Sequence, residues 1–340
     1  MTHSVIIPLF NKAEYITETL HSLMMQTKQP DELIIVDDAS TDGSLLIAKD
    51  YLQQHAGSFG HCRIEVIELA ENGGPGHARN IGMAQANGEL ISFLDADDLY
   101  HPHLISVADN MFCTEHLDLL VLGMAFIPGG ESYPDTGALD RYLQPIKENL
   151  YLLKDPLKAV TSPHFILGVG SNVITKSKWI RPVQYHVQSS LNEGIDFWYR
   201  VLKNIHAQTT GKIGLLTGDL LSVREVKGSL SRKTYTHFRE IALPPVISRY
   251  KKSKDINDRL LMGMIGKRWY MHSISSLQSA RQRALFVLYH FSLLPQYVGY
   301  IILRRLSQNS NSTTHDILLV NGVRSVHVHD REHRHKRINN

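Results

Sequence analysis

Cysteine is almost missing from this 340-residue chain, which has only Cys62 and Cys113. Two thiols cannot staple a small secreted fold or furnish a four-cysteine zinc module. The opening MTHSVIIPLF has no basic stretch leading into a long apolar run, so no secretory leader is expected and the expected compartment is the cytoplasm. Neither GxxxxGK[ST] nor a GxGxxG following a strand occurs, which leaves P-loop and Rossmann dinucleotide sites without support. No internal repeat is visible. Disorder is excluded by composition, since 43% of residues are hydrophobic and 20% charged. That supply is ample for one large core or two modest ones.

Charge of one sign is scarce in each part of the chain, although the net value is only +3. Residues 1–230 hold 17 Lys and Arg against 27 Asp and Glu, a net −10, whereas residues 231–340 hold 19 against 6, a net +13. A basic C-terminal third points to an anionic partner such as a membrane surface, a nucleic acid or an acidic acceptor.

The first hundred residues alternate between strand and helix patterns. Ser4–Pro8, Glu32–Val36, Arg63–Leu69 and Leu90–Leu94 are apolar or alternating runs of strand length. Between them lie helical stretches, the first with Ile16, Leu20 and Leu23 at helical spacing and the third over His77–Asn87. Such alternation predicts a largely parallel, doubly wound sheet with helices on both faces. Ligands of these sheets sit beyond the carboxyl ends of the strands. The polar clusters fall there: Phe10-Asn11, Asp37-Asp38, Asn72–Gly74 and Asp95–Asp98. Further on, strands are expected at Asp118–Met124 and Val169–Thr175, a loop at Pro128–Asp140 and a helix at Asp196–Asn204. From about residue 236 the pattern reads as all-helical and basic.

Three constellations carry chemistry. Asp95 and Asp97, two apart at a strand end, can converge on a hard divalent cation such as Mg²⁺ or Mn²⁺, which takes one or two carboxylates plus substrate phosphates. The bland alternative is that Asp97-Asp98 caps the next helix. Asp37 and Asp38 can accept hydrogen bonds from a nucleobase or ribose, while Ser40 or Thr41 caps the helix that follows. A receiver domain also has an acidic pair, but there it follows the first strand and here it follows the second. The loop Asn72–Gly76 precedes a helix bearing Arg79, whose forked donors suit phosphate.

The run SVIIPLFN…ELIIVDDASTDGS…ENGGPGHARNIGMAQANGELISFLDADD resembles the N-terminal half of family 2 glycosyltransferases, densely so over about residues 3–110. The resemblance implies a GT-A fold, with a doubly wound mixed sheet, helices on both faces and here a basic helical extension. It implies an inverting, metal-dependent hexosyltransferase that uses a nucleotide-sugar donor, with UDP as the expected nucleotide, and a saccharide or lipid-linked acceptor, as in cell-surface polysaccharide or glycolipid synthesis. Pro8, Phe10, Glu14 and Asp38 would then line the uridine pocket, with Asp37 nearby. Asn72, Gly73 and Arg79 would follow the diphosphate and sugar. Asp95 and Asp97 take the DxD positions, with Asp97 as the metal ligand.

The second half resembles the family more loosely. Gly170, Ser171 and Asn172 fall where small residues face the acceptor, and Arg224 and Lys227 resemble the basic segment near the departing diphosphate. LNEGIDFWYRVL resembles the stretch whose Glu-Asp pair ends in the general base, yet Gly194 stands at the Asp position. Either Glu193 or Asp196 is left for the base role. The departure also keeps open a nucleotide-sugar-binding protein without turnover.

Residues 284–303 form a 20-residue stretch without Asp, Glu, Lys or Arg, flanked by Arg281, Arg283, Arg304 and Arg305. Pro295, Gly299, His290 and Gln296 argue against a plain span, and an in-plane contact of 281–305 with the cytoplasmic face of a membrane, with Tyr289, Tyr297 and Tyr300 at the interface, is expected instead. Nucleic acid is not expected, for want of interleaved aromatics or a known motif. The expected organisation is a catalytic domain over 1–235 (nucleotide half 1–110, acceptor half 111–235). A basic helical extension over 236–325 and a His/Arg-rich flexible tail over 326–340 complete it.

Overall fold

Runs of β-branched and leucine residues build the centre of the protein, seen in a computed structural model. The structure describes residues 1–129, 132–162, 164–165, 167–168, 170–187, 192–208, 211–226, 234–307, 316–320 and 323–327, with side chains as far as residue 302. Strands β1 (His3–Leu9), β2 (Glu32–Asp37), β3 (Arg63–Glu68) and β4 (Leu90–Phe93) alternate with helices α1 (Ile16–Met24), α2 (Ser44–Gln54) and α3 (Pro75–Gln85). All four strands run parallel, in the order β3-β2-β1-β4. Side chains alternate between the two faces of the sheet. Val5, Ile7, Leu33 and Ile35 therefore enter one core, and Ile6, Ile34 and Val36 the other.

The sequence continues through β5 (Leu99–Tyr100), α4 (Leu104–Glu115), β6 (Leu119–Leu122) and β7 (Met124–Ile127). Then come β8 (Ser132–Tyr133), β9 (Leu143–Lys147), β10 (Leu150–Leu153), α5 (Pro156–Ala159), β11 (Val173–Lys176) and α6 (Ser177–Ile180). Helix α7 (Glu193–Gln208) and strands β12 (Ile213–Leu216) and β13 (Leu221–Arg224) complete the part before the helical extension. A nine-stranded mixed sheet, β3-β2-β1-β4-β11-β6-β12-β10-β9, lies beside a smaller one, β5-β13-β7-β8. The strand expected over Asp118–Met124 is two strands, because the chain changes sheet at Gly123. A Cβ there would stand 3.0 Å from the Gly218 carbonyl. The strand expected from residue 169 begins only at Val173, and the helix expected from Asp196 begins a turn earlier, at Glu193.

Helices α8 (Pro245–Tyr250), α9 (Ile256–Ser276), α10 (Ala280–Tyr289) and α11 (Leu294–Ser307) form the extension. Its core residues Val246, Leu261, Trp269 and Phe286 belong to the same cluster as Ile6, Trp198 and Leu202. The extension is not all-helical: it closes on the antiparallel hairpin β14 (Asp316–Val320) and β15 (Val323–His327). The tail beyond His327 lies outside the described residues. Among the described residues no single helix is long and apolar enough to cross a membrane.

Candidate active site

Parallel strands deliver the site. β1, β2 and β4 end side by side, so Asp38, the loop before α3 and the Asp95–Asp98 turn share one edge of the sheet. Asp38 is buried and accepts the backbone N–H groups of Gly73 and Gly74, both at 2.8 Å. It thereby fixes the glycine loop. Asp37 accepts from Ser40 N at 3.1 Å through Oδ2, while its buried Oδ1 has no hydrogen-bond partner among the described residues. Ala39 beside them holds φ 58°, a left-handed conformation costly for a residue with a Cβ and common at binding loops. Pro8 is half-buried on β1, Phe10 stands 42% exposed at the rim, and Glu14 and Asn72 are exposed nearby in sequence.

The centre is Arg79, buried on α3. One guanidinium nitrogen donates to Asp95 Oδ1 at 2.8 Å, and the other to Glu193 Oε1 at 3.0 Å. Its face lies over the rings of Tyr185 at 5.2 Å and Phe93 at 5.9 Å. A single arginine thus ties the carboxylate after β4 to the first residue of α7. Burial, with the Asp95 charge adding to it, lifts Glu193 to about 7 against the opposing pull of Arg79. At neutral pH such a carboxyl is poised between accepting and releasing a proton.

Asp196 has a different setting. It is wholly buried, bonded at 2.9 Å to Arg200 Nε and at 3.1 Å to Arg249 Nε, and so bolts α7 to α8. The two candidates for the base, three residues apart in sequence, are thus held by different arginines.

Gly194 has a geometric reason to lack a side chain. A Cβ there would stand 2.3 Å from the Gly168 carbonyl oxygen. Gly168, at φ +75°, faces back on Gly194 and on Trp198, and a Cβ at Gly168 would stand only 2.6 Å from the indole. The segment that follows reaches the DxD turn. A Cβ at Gly170 would meet Asp95 Oδ2 at 2.1 Å, and Ser171 Oγ accepts from Asp95 N at 2.8 Å and donates to Asp98 Oδ2 at 2.7 Å. Asn172 accepts from Gly168 N at 3.1 Å.

Asp97 is paired with the Lys12 ammonium. Burial raises its pKa, with Asp95 adding to the effect and Lys12 opposing it. The fully buried Asp98 is raised further, by burial and then by Asp97 and Asp95. Arg224 covers this acidic turn. Its backbone N–H donates to Asp98 at 3.1 Å, its Nε to the Asp97 carbonyl at 3.2 Å, and its Nη2 to Glu18 at 2.5 Å. Lys227 lies outside the described residues. Among the described residues no group of three or more His, Cys, Asp or Glu is arranged to hold a metal ion. The ammonium on Asp97 shows that its carboxylate accepts a positive charge at this turn.

Sequence reasoning missed Lys12, Tyr185 and the burial of Asp98. Lys12 carries a faint signal, a cation directly after the first strand. Tyr185 carries none, because it comes from an irregular stretch and is set by stacking on Phe197 at 3.8 Å.

A sequence model described as glycosyl transferase family 2 matches residues 4–168. Over those residues, just under half of its length, the chain is similar to that family. The poly(ribitol-phosphate) beta-N-acetylglucosaminyltransferase TarS of Staphylococcus aureus strain Mu50 is 36% identical over 132 residues, 38% of this chain and 22% of TarS. A poly(ribitol-phosphate) beta-glucosyltransferase of Bacillus spizizenii is 24% identical over 327 residues, 91% of this chain and 50% of that protein. The chain therefore spans only a fifth to a half of the length of these relatives. The crystal structure of S. aureus TarS 1-349 in complex with UDP-GlcNAc matches with a TM-score of 0.56 at 19% identity. That match covers 97% of this chain and 98% of the TarS chain, and the shared fold is GT-A.

Proposed function

We propose that the protein is an inverting glycosyltransferase. In this reading it moves a sugar from a nucleotide donor, most simply a UDP-sugar, to a hydroxyl of a saccharide or lipid-linked acceptor. The observation that carries the reading is the Glu193–Arg79–Asp95 bridge, which holds a carboxyl with a pKa of about 7 against the strand-end carboxylates. Glu193 is the base. Oε1 stays on Arg79, and Oε2 takes the proton of the acceptor hydroxyl as that oxygen attacks the anomeric carbon from the face opposite the leaving diphosphate. Arg79 keeps the carboxyl oriented, and Asp196, engaged by two arginines, serves the architecture of α7.

On the donor side, Asp37 offers Oδ1 as an acceptor toward the nucleoside, and Asp38 sets the loop Asn72–Gly74 along which the diphosphate and sugar lie. Asp97 would hold a divalent cation, Mg²⁺ or Mn²⁺, whose charge offsets that of the diphosphate as it departs. Lys12 and Arg224 add fixed positive charge at the same turn. Gly170 borders the acceptor side, and the buried Ser171 and Asn172 hold its segment against the Asp95–Asp98 turn and Gly168. The names of the relatives point to a poly(ribitol-phosphate)-like polymer as the acceptor class.

Gly194 favours one rival, a nucleotide-sugar-binding protein without turnover. Release of UDP from a panel of UDP-sugars, measured with and without Mn²⁺ on parent and Glu193→Gln proteins, separates the two. Cation-dependent release lost in the variant is expected. Tight UDP binding with no release on any acceptor pool sinks the transferase reading.

A further inference from the structure

The extension presents a helical elbow whose two faces differ. α10 and the segment from Phe291 to Ile302 meet at an angle of 56°. The inner face of α11 is committed to the protein. Tyr297 and Tyr300 are buried against α9 so closely that a Cβ at Gly266 would stand 2.0 Å from the Tyr297 ring and one at Gly263 2.6 Å from Tyr300 Cβ. α11 is therefore a seated helix, and what its other face carries is held in place. That outer face carries Phe291, Pro295, Val298 and Ile302, spaced by four, three and four residues, all exposed. Leu288 and Tyr289, at the end of α10, are 70% and 68% exposed. On α10 the exposed Arg281 and Ala284 precede Leu288 at helical spacing.

Large apolar side chains gathered on a folded surface mark a place that something covers. Charge selects what covers it. Between residues 259 and 315 there is no Asp or Glu at all, against seven Lys and Arg: Arg259, Lys267, Arg268, Arg281, Arg283, Arg304 and Arg305. A segment that pairs exposed apolar side chains with charge of only one sign along its sequence suits a surface that is apolar beneath an anionic skin.

We propose that the α10–α11 elbow docks on an anionic lipid bilayer. Leu288, Tyr289, Phe291, Val298 and Ile302 enter at headgroup depth and the flanking arginines lie on lipid phosphates. The proposal rests on the elbow alone and stands whether or not the cleft turns over a sugar donor. It is tested by sedimenting the full chain with vesicles of phosphatidylcholine mixed with phosphatidylglycerol, and with phosphatidylcholine alone. The expected result is pelleting with the anionic vesicles, reversed by salt. Val298→Ser/Ile302→Ser is expected to weaken partition more than tenfold, and Arg281→Gln about fivefold. Thermal melting of both variants should match the parent, because the altered side chains are exposed. No pelleting with anionic vesicles, or pelleting that the serine pair leaves unchanged, overturns the proposal. Self-association in lipid-free solution that the serine pair abolishes also overturns it and assigns the ridge to a second copy. UDP release assayed on the same samples reports on the transferase reading separately.

Discussion

The two walls of the cleft are made differently. The wall proposed for the nucleotide consists of strand ends: Asp37, Asp38 and the Asp95–Asp98 turn each follow a parallel strand, and neighbouring strands set their spacing. The wall proposed for the acceptor has no such frame. It joins a loop to the first turn of α7 by a contact between two glycines, and joins both to the nucleotide wall by Arg79, which reaches Glu193 across 114 residues of sequence. A wall of strand ends survives the loss of any one side chain. A wall made of a few long-range contacts does not, and substitutions there should reach further.

The sharpest way to break this contrast is Glu193→Gln. Loss of the proposed base is expected to lower kcat by about 10²–10⁴ while UDP affinity stays near that of the parent. The parent's kcat/KM should rise with pH through about 7, as Glu193 ionises, and the variant should lose that limb. Stability runs the other way. The fold raises the pKa of this carboxyl, so its contribution is complete below the ordinary glutamate range and is lost as pH rises through about 7. Glu193→Gln cannot ionise, so its melting temperature should fall less than the parent's between roughly pH 5 and 8.

Arg79→Met comes next. It leaves two carboxylates facing each other without their cation, and a cost of about 3–5 kcal/mol is expected in urea unfolding. Arg79→Lys should recover part of it, for lysine keeps the charge but not the fork. Gly194→Ala should cost about 1–3 kcal/mol through overpacking against the Gly168 carbonyl. It should raise the KM for acceptor more than the KM for donor. An effect confined to the donor would show that the two walls are not separate. Lys12→Met is the smallest change. Freed of the ammonium, Asp97 should bind Mn²⁺ up to about fivefold more tightly in the nucleotide-free protein, read by electron paramagnetic resonance.

The same contrast governs what the sequence discloses. β1 to β4 and the acidic turns after them are legible because a strand run followed by polar residues is a local pattern, and parallel pairing then brings those turns together. The break at Gly123 is not legible, since it depends on how near Gly218 comes. Nor can sequence separate Glu193 from Asp196, both in the first turn of α7. What separates them is Arg79 arriving from α3 and Arg249 from α8. The closing hairpin was hidden for another reason: its strands are short and lie in a region whose other elements are helical.

The contact between Gly168 and Gly194 bears on how variants of this protein are to be interpreted. Restoring an aspartate at position 194 calls for moving a backbone carbonyl, so the substitution by itself cannot rebuild an acidic base there. A saturation screen scored on product would rank both glycines beside Glu193, although neither offers an atom to the reaction. The two positions work as tenon and mortise, and any graft of this acceptor loop into a relative must carry both halves of the joint.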